Sequence, residues 1–180
     1  EHIGGFEANL AAKERLEKLG FTVSFSEHYL ENDMLGSASI ESRVADIHVA
    51  FSDDSVDAIL ATIGGFNCNE LLPYLDFELI ARNPKIFCGY SDTTALLSAI
   101  YSKTGMKTYM GPSYSSFKMD ALQDYQTESW LKAVSQTSYE LTPSEKWGDN
   151  AWYLPDAPLT FHETEWKVYH HGQAQATAIG

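Results

Sequence analysis

Val56-Asp57-Ala58-Ile59-Leu60-Ala61-Thr62-Ile63, closed by Gly64-Gly65, is a nearly continuous apolar run. Its length and its glycine stop read as a strand buried on both faces, the pattern of a parallel sheet covered by helices. Two further runs repeat the theme. Pro84-Lys85-Ile86-Phe87-Cys88 ends at Gly89, and Lys107-Thr108-Tyr109-Met110 reads as a further strand. Between them the spacing predicts short helices over residues 70–75 and 77–82. A longer one follows over 93–104, with Leu96, Leu97, Ile100 and Tyr101 facing inward and Gly105 as its stop. Upstream, residues 7–19 carry Leu10, Leu16 and Leu19, with Phe6 just before them, near helical spacing, and Gly20 ends that helix. Residues 21–25, Phe-Thr-Val-Ser-Phe, read as a strand, and 26–38 as a polar loop. Ser39 then caps a helix with Ile40, Val44, Ile47 and Phe51 along one face. Helices alternating with strands at this interval predict βαβ units and a mostly parallel, three-layer α/β sheet.

The texture changes after residue 138. Pro143, Pro155 and Pro158 interrupt short segments that hold Trp147, Trp152 and Trp166. The expected organisation is therefore an α/β domain over 1–138, then a linker and the first part of a β-rich domain over 139–180. Residues 165–179 are candidate strands there. The end at Gly180, directly after Ala176-Thr177-Ala178-Ile179, reads as a cut within a longer protein.

Composition narrows the function classes. The 180 residues are 44% hydrophobic and 21% charged, a folding chain and not a disordered one. Twenty-five acidic against 12 basic residues give a net charge of −13, which repels nucleic acid and anionic membranes. No run approaches a membrane span, no basic start precedes an apolar run, and the cytoplasm is the default compartment. Cys68 and Cys88 fit neither a disulfide framework nor a zinc pattern, and no cofactor or metal site is expected.

In a parallel sheet, ligands gather at the carboxyl ends of the strands. One such end, Cys88-Gly89-Tyr90-Ser91-Asp92, is a strand, a sharp turn and a helix start with a serine at the turn. That geometry exposes Ser91 Oγ beside free N–H groups able to hold the oxygen of a tetrahedral intermediate. The Gly64-Gly65 pair allows close backbone approach and a second donor. Ser91 is thus the candidate nucleophile, but Ser91 and Asp92 serve equally as helix caps. The Gly-x-Ser-x-Gly elbow is not met, because Thr93 stands at its fifth position. A serine also needs a base, and no spacing marks His2, His28, His48, His162, His170 or His171 as that partner. His48 reads as solvent-facing, and one of His170-His171 as inward-facing on a strand. Cys88 reads as a small core residue, and the aromatics at 147, 152, 153 and 166 as core of the second domain. Asp53-Asp54 and Glu163/Glu165 read as solvated charges. A non-catalytic module, cradling an anionic ligand at Gly64-Gly65 and the Ser91 turn, is the alternative.

Ordered blocks carry a resemblance. Ala61-Thr62-Ile63-Gly64-Gly65-Phe66-Asn67, Leu71-Leu72-Pro73-Tyr74-Leu75-Asp76-Phe77, Asn83 through Leu96 and Gly111-Pro112 together resemble the LD-carboxypeptidase and microcin C self-immunity family of serine peptidases. The glycine block and Gly111-Pro112-Ser113-Tyr114-Ser115-Ser116-Phe117 resemble the immunity branch more closely. The resemblance implies a flavodoxin-like N-terminal domain followed by a β-rich one. It implies Ser91 as nucleophile and the backbone amides of Asp92 and of the Gly64-Gly65 turn, at Gly65, as the oxyanion hole. It also implies no cofactor, a homodimer in the full-length protein, and murein peptides or peptidyl- and aminoacyl-nucleotide antibiotics as substrates. The family's opening strand has no counterpart before Glu1. Its Glu and His partners are expected beyond Gly180, which makes this chain an inactive N-terminal portion.

Overall fold

The computed structural model describes residues 10–34, 36–151 and 158–175. The chain divides into two compact units, one ending at Lys118 and one beginning at Met119.

The first unit is built on three parallel strands, β1 (Ala58–Leu60), β2 (Ile86–Gly89) and β3 (Tyr109–Met110), in that spatial order. Leu60 lies opposite Cys88, and Gly89 opposite Met110. Beyond the ladder, Ala61 N–H donates to Cys88 O (3.0 Å) and Gly111 N–H to Gly89 O (3.0 Å). The ladder thus ends at Leu60, Gly89 and Met110, and the Gly64-Gly65 pair follows beyond the end of β1. The expected α/β class with a parallel sheet is what folds.

The helices are α1 (Leu10–Lys18), α2 (Ile40–Ser52), α3 (Phe77–Arg82) and α4 (Thr94–Thr104), with a 3₁₀ helix at Cys68–Tyr74. Local chemistry sets their ends. Ser39 Oγ accepts from Ser42 N–H (3.0 Å), as its sequence position predicts, and Asp76 Oδ1 accepts from Leu79 N–H (2.9 Å). Each such cap is worth about 1 kcal/mol. Gly105 ends α4 in the left-handed region at φ 72°, where glycine carries no Cβ penalty. The core joins Phe51 of α2, Leu71 and Leu75, Ile80 of α3, Phe87 of β2, and Leu96, Leu97 and Ile100 of α4. Ile40, Val44 and Ile47 pack against it, so the whole predicted stripe of α2 faces inward.

Four expectations change. Residues 21–25 join no ladder among the described residues. Phe25 stacks on Tyr29 (4.5 Å) and meets Tyr114 edge-on (5.4 Å). On α1 the buried residues are Ala12 and Leu16, while Leu10 and Leu19 are exposed; Phe6 and residues 7–9 lie outside the described residues. Tyr101 is exposed, while α4 enters the core through Leu96, Leu97 and Ile100. His48 is half-buried, and its Nε2 accepts the Asp76 N–H at 2.9 Å. It ties α2 to the entry of α3.

The second unit contains α5 (Gln123–Ser135), which the sequence did not announce, and an antiparallel pair, β4 (Lys146–Trp147) with β5 (His162–Glu163). Asn150 closes the connection by two bonds of 2.7 Å to the Thr160 backbone. Trp147 and Trp166 are exposed rather than core, and Trp152 and Tyr153 lie outside the described residues. Residues 164–175 form no strand, so His170 and His171 are both exposed. No helix among the described residues is long and apolar enough to cross a membrane.

The core assignment has a direct check in urea unfolding. Phe51→Ala is expected to lower stability by about 3–5 kcal/mol. Tyr101→Ala is expected to cost less than about 1 kcal/mol, in keeping with a surface position. Equal losses would place Tyr101 back in the core.

Candidate active site

The β2 strand leaves the sheet extended, with Tyr90 at φ −152° and ψ −175°. The chain then reverses at Ser91, whose φ is +60°. A non-glycine residue there costs about 1–2 kcal/mol. A 3₁₀ turn, Ser91–Thr93, runs directly into α4. The reversal leaves Ser91 exposed while Thr93, two residues on, is buried. Gly89 makes this possible. A Cβ at that position would stand 2.8 Å from Thr93 Cγ2 and 2.9 Å from Ala61 Cβ.

The Gly64-Gly65 turn, beyond the end of β1, lies against this serine. A Cβ on Gly64 would come within 3.0 Å of Ser91 Cβ and 3.2 Å of Ser91 Oγ; one on Gly65 would come within 3.2 Å of Asp92 Oδ2. The structure thus brings Ser91, Asp92, Gly64 and Gly65 together.

Neither residue caps a helix. The first turn of α4 has no side-chain cap bond, and no hydrogen bond to Ser91 Oγ forms among the described residues. The carboxylate of Asp92 turns instead to the neighbouring strand end, where Oδ2 accepts from Asn67 N–H and Cys68 N–H, each at 2.9 Å. Asn67 is held from its other side. Arg43 Nη1 donates to Asn67 O (3.2 Å) and Oδ1 (3.1 Å), and Ser37 Oγ donates to Oδ1 (3.1 Å). Arg43 also pairs with Glu70 at 3.4 Å. Burial, with the Asp92 carboxylate second, pushes the Cys68 thiol up to about 12. Cys68 therefore stays protonated at neutral pH and is a poor nucleophile. Cys88 is wholly buried, with Sγ 3.4 Å from Pro112 O, as expected of a core residue.

Of the first unit's histidines, His28 and His48 are both engaged elsewhere. His28 Nδ1 lies 2.7 Å from Asp46 Oδ1, and this hydrogen bond holds the imidazole pKa above its ordinary value. His48 is the acceptor for Asp76 N–H. His162, His170 and His171 belong to the second unit, and His2 lies outside the described residues. Sequence reading missed Arg43, Asn67 and Ser37. Only Asn67, beside the glycine pair, stood near a feature that drew attention.

Residues 4–111 match the family described as the LD-carboxypeptidase N-terminal domain, Peptidase S66. The chain belongs to this family. Among the family's curated proteins, the putative carboxypeptidase YocD of Bacillus subtilis is 48% identical over 97% of the chain and 54% of its own length. The microcin C7 self-immunity protein MccF of Escherichia coli is 34% identical over 93% of the chain and 51% of its own length. The solved MccF-like protein from Bacillus anthracis superposes with a TM-score of 0.88 at 48% identity, over 91% of the chain and 50% of that structure. MccF in complex with glutamyl sulfamoyl guanosine superposes with 0.80 at 34% identity, over 87% and 49%. The chain thus spans about half the length of the relatives it matches.

The strained turn gives a test independent of activity. Ser91→Gly is expected to unfold about 1 kcal/mol later than Ser91→Ala in urea, because only glycine is relieved of the left-handed penalty. Identical stabilities would mean that the turn is not left-handed at 91.

Proposed function

We propose that this chain supplies the nucleophile and the oxyanion hole of a serine peptidase that cleaves an amide bond next to a terminal amino acid. One observation carries the reading: the exposed Ser91 sits at a left-handed strand-to-helix turn, with Gly64 close against it and Gly65 close against Asp92. Ser91 Oγ attacks the carbonyl. The N–H of Asp92 and the N–H of Gly65, on the Gly64-Gly65 turn, receive the oxygen as it becomes negative. Two such donors, fixed in advance, stabilise the charge where it develops, and losing one costs about 10²–10³ in rate. The engagement of His28 and His48 supports a base drawn from outside the described part of the first unit.

The substrate we assign is an aminoacyl-nucleotide joined through an amide. Its support is the immunity-type block at 111–117 and the likeness to MccF, solved with glutamyl sulfamoyl guanosine. Murein tetrapeptides are the second reading, favoured by the family's own description.

A fluorophosphonate probe on the intact gene product is expected to label Ser91 and to fail on Ser91→Ala. Absence of labelling would instead favour a non-catalytic module that binds an anion at the two turns. On substrates, kcat/KM for glutamyl sulfamoyl guanosine is expected to exceed that for an L,D-linked murein tetrapeptide by at least about tenfold, a difference of 1.4 kcal/mol. The reverse order would move the assignment to cell-wall peptides.

A further inference from the structure

The Gly64-Gly65 turn cannot hold its own position. Two adjacent glycines have the widest backbone freedom of any pair, and neither offers a side chain to pack. Phe66 after them is wholly exposed and adds no anchor. Yet a donor displaced by about 1 Å loses about 10²-fold in rate. Something outside the turn must fix it.

The hydrogen bonds show what does. Side-chain ties to the far end of the turn converge on residues 67 and 68: two amide bonds to Asp92 Oδ2, two bonds from Arg43 Nη1, and one from Ser37 Oγ. The Asp92 bonds are short and charge-assisted, the stronger class. Arg43 is held in turn by Ser39 O through Nε (3.4 Å) and by Glu70 through Nη2. Its guanidinium is committed to the turn, with its side chain only 18% exposed.

Asp92 is also the residue directly after Ser91. Its backbone N–H and its carboxylate are carried on one Cα, and the two bonds to Oδ2 hold the side chain in place. The same residue that presents one donor beside the nucleophile therefore grips the turn that presents the other. We propose that Asp92, through its side chain, and Arg43, acting through Asn67, are positioning residues that set the distance between the Gly64-Gly65 turn and Ser91. This rests on the reading of Ser91 as the nucleophile. Neither side chain touches the reacting atoms, so each acts on the rate of attack and not on binding.

The test measures saturation kinetics of fluorophosphonate labelling in the intact gene product, which separates the maximal labelling rate from the probe's affinity. Asp92→Ala is expected to slow the maximal rate about 100-fold while affinity stays within about 3-fold. Asp92→Asn is expected to recover at least about tenfold of that loss, because one amide oxygen can accept both N–H groups. Arg43→Met is expected to slow the rate about tenfold, and the double variant with Asp92→Ala to be no slower than Asp92→Ala alone within about 3-fold, since both act through one turn. A wild-type rate in Asp92→Ala, an Asp92→Asn as slow as Asp92→Ala, or a loss carried by affinity would each overturn the proposal. If Asp92→Ala fails to unfold cooperatively on heating, Arg43→Met decides, and a wild-type rate there overturns it. A wild-type protein that is not labelled at Ser91 defeats the nucleophile reading itself, a different failure from a labelled protein indifferent to Asp92.

Discussion

The approach of two backbone turns, one from β1 and one from β2, is the constraint on which the site depends. Gly64 and Ser91 stand so close that a single methyl group on Gly64 would lie 3.0 Å from Ser91 Cβ. At that distance a side chain must displace its neighbour. The same demand recurs one layer down, where Gly89 lets Thr93 and Ala61 close on it at 2.8 and 2.9 Å. Glycine solves the steric problem at both places and creates a conformational one, since it leaves the turns free to move. The polar groups around Asn67 answer that second problem, and the parallel pairing of β1 with β2 brings the two turns to the same end of the sheet.

Much of this frame was legible from residue order. The end of β2 at Gly89, the Ser39 cap and the apolar stripe Ile40, Val44, Ile47, Phe51 all follow from local pattern, and the structure places them accordingly, while β1 stops at Leu60, short of the glycine pair. Ser91 was visible for the same reason, because strand, turn and helix are neighbours in sequence. What sequence did not carry depends on distance. Arg43 looks like an ordinary surface charge on α2, and nothing in its own helix says that it meets a turn 24 residues away. Residues 21–25 have strand chemistry, yet a ladder needs a partner strand, and none pairs with them among the described residues. The choice between cap and nucleophile for Ser91 and Asp92 could not be made locally either, since the same side chains suit both.

On the proposed reading of Ser91, a carboxylate beside a developing oxyanion is at first sight unfavourable, because like charges repel. Asp92 escapes much of that cost by the direction its charge faces. Oδ2 accepts two amide protons from the far side of the glycine turn, and the Arg43 guanidinium lies beyond Asn67 in the same direction. The charge also has a useful neighbour effect. It adds to burial in holding the Cys68 thiol up at about 12. The Cys68 thiol is thus kept protonated at neutral pH.

The turn itself is not a low-energy arrangement. Ser91 occupies a backbone region that costs about 1–2 kcal/mol, and Thr93 buries a hydroxyl that has no hydrogen-bond partner among the described residues. An unsatisfied group of that kind costs about 1–3 kcal/mol. Both stand at the start of α4, whose Leu96, Leu97 and Ile100 are buried in the core. Each such side chain contributes about 1.5–3 kcal/mol on burial. The helix is therefore anchored by residues one and two turns past the strain, and the chain cannot relax at Ser91 without withdrawing them. That coupling explains why the apolar stripe of α4 bears on chemistry: it keeps the serine in a conformation that the local sequence would not choose.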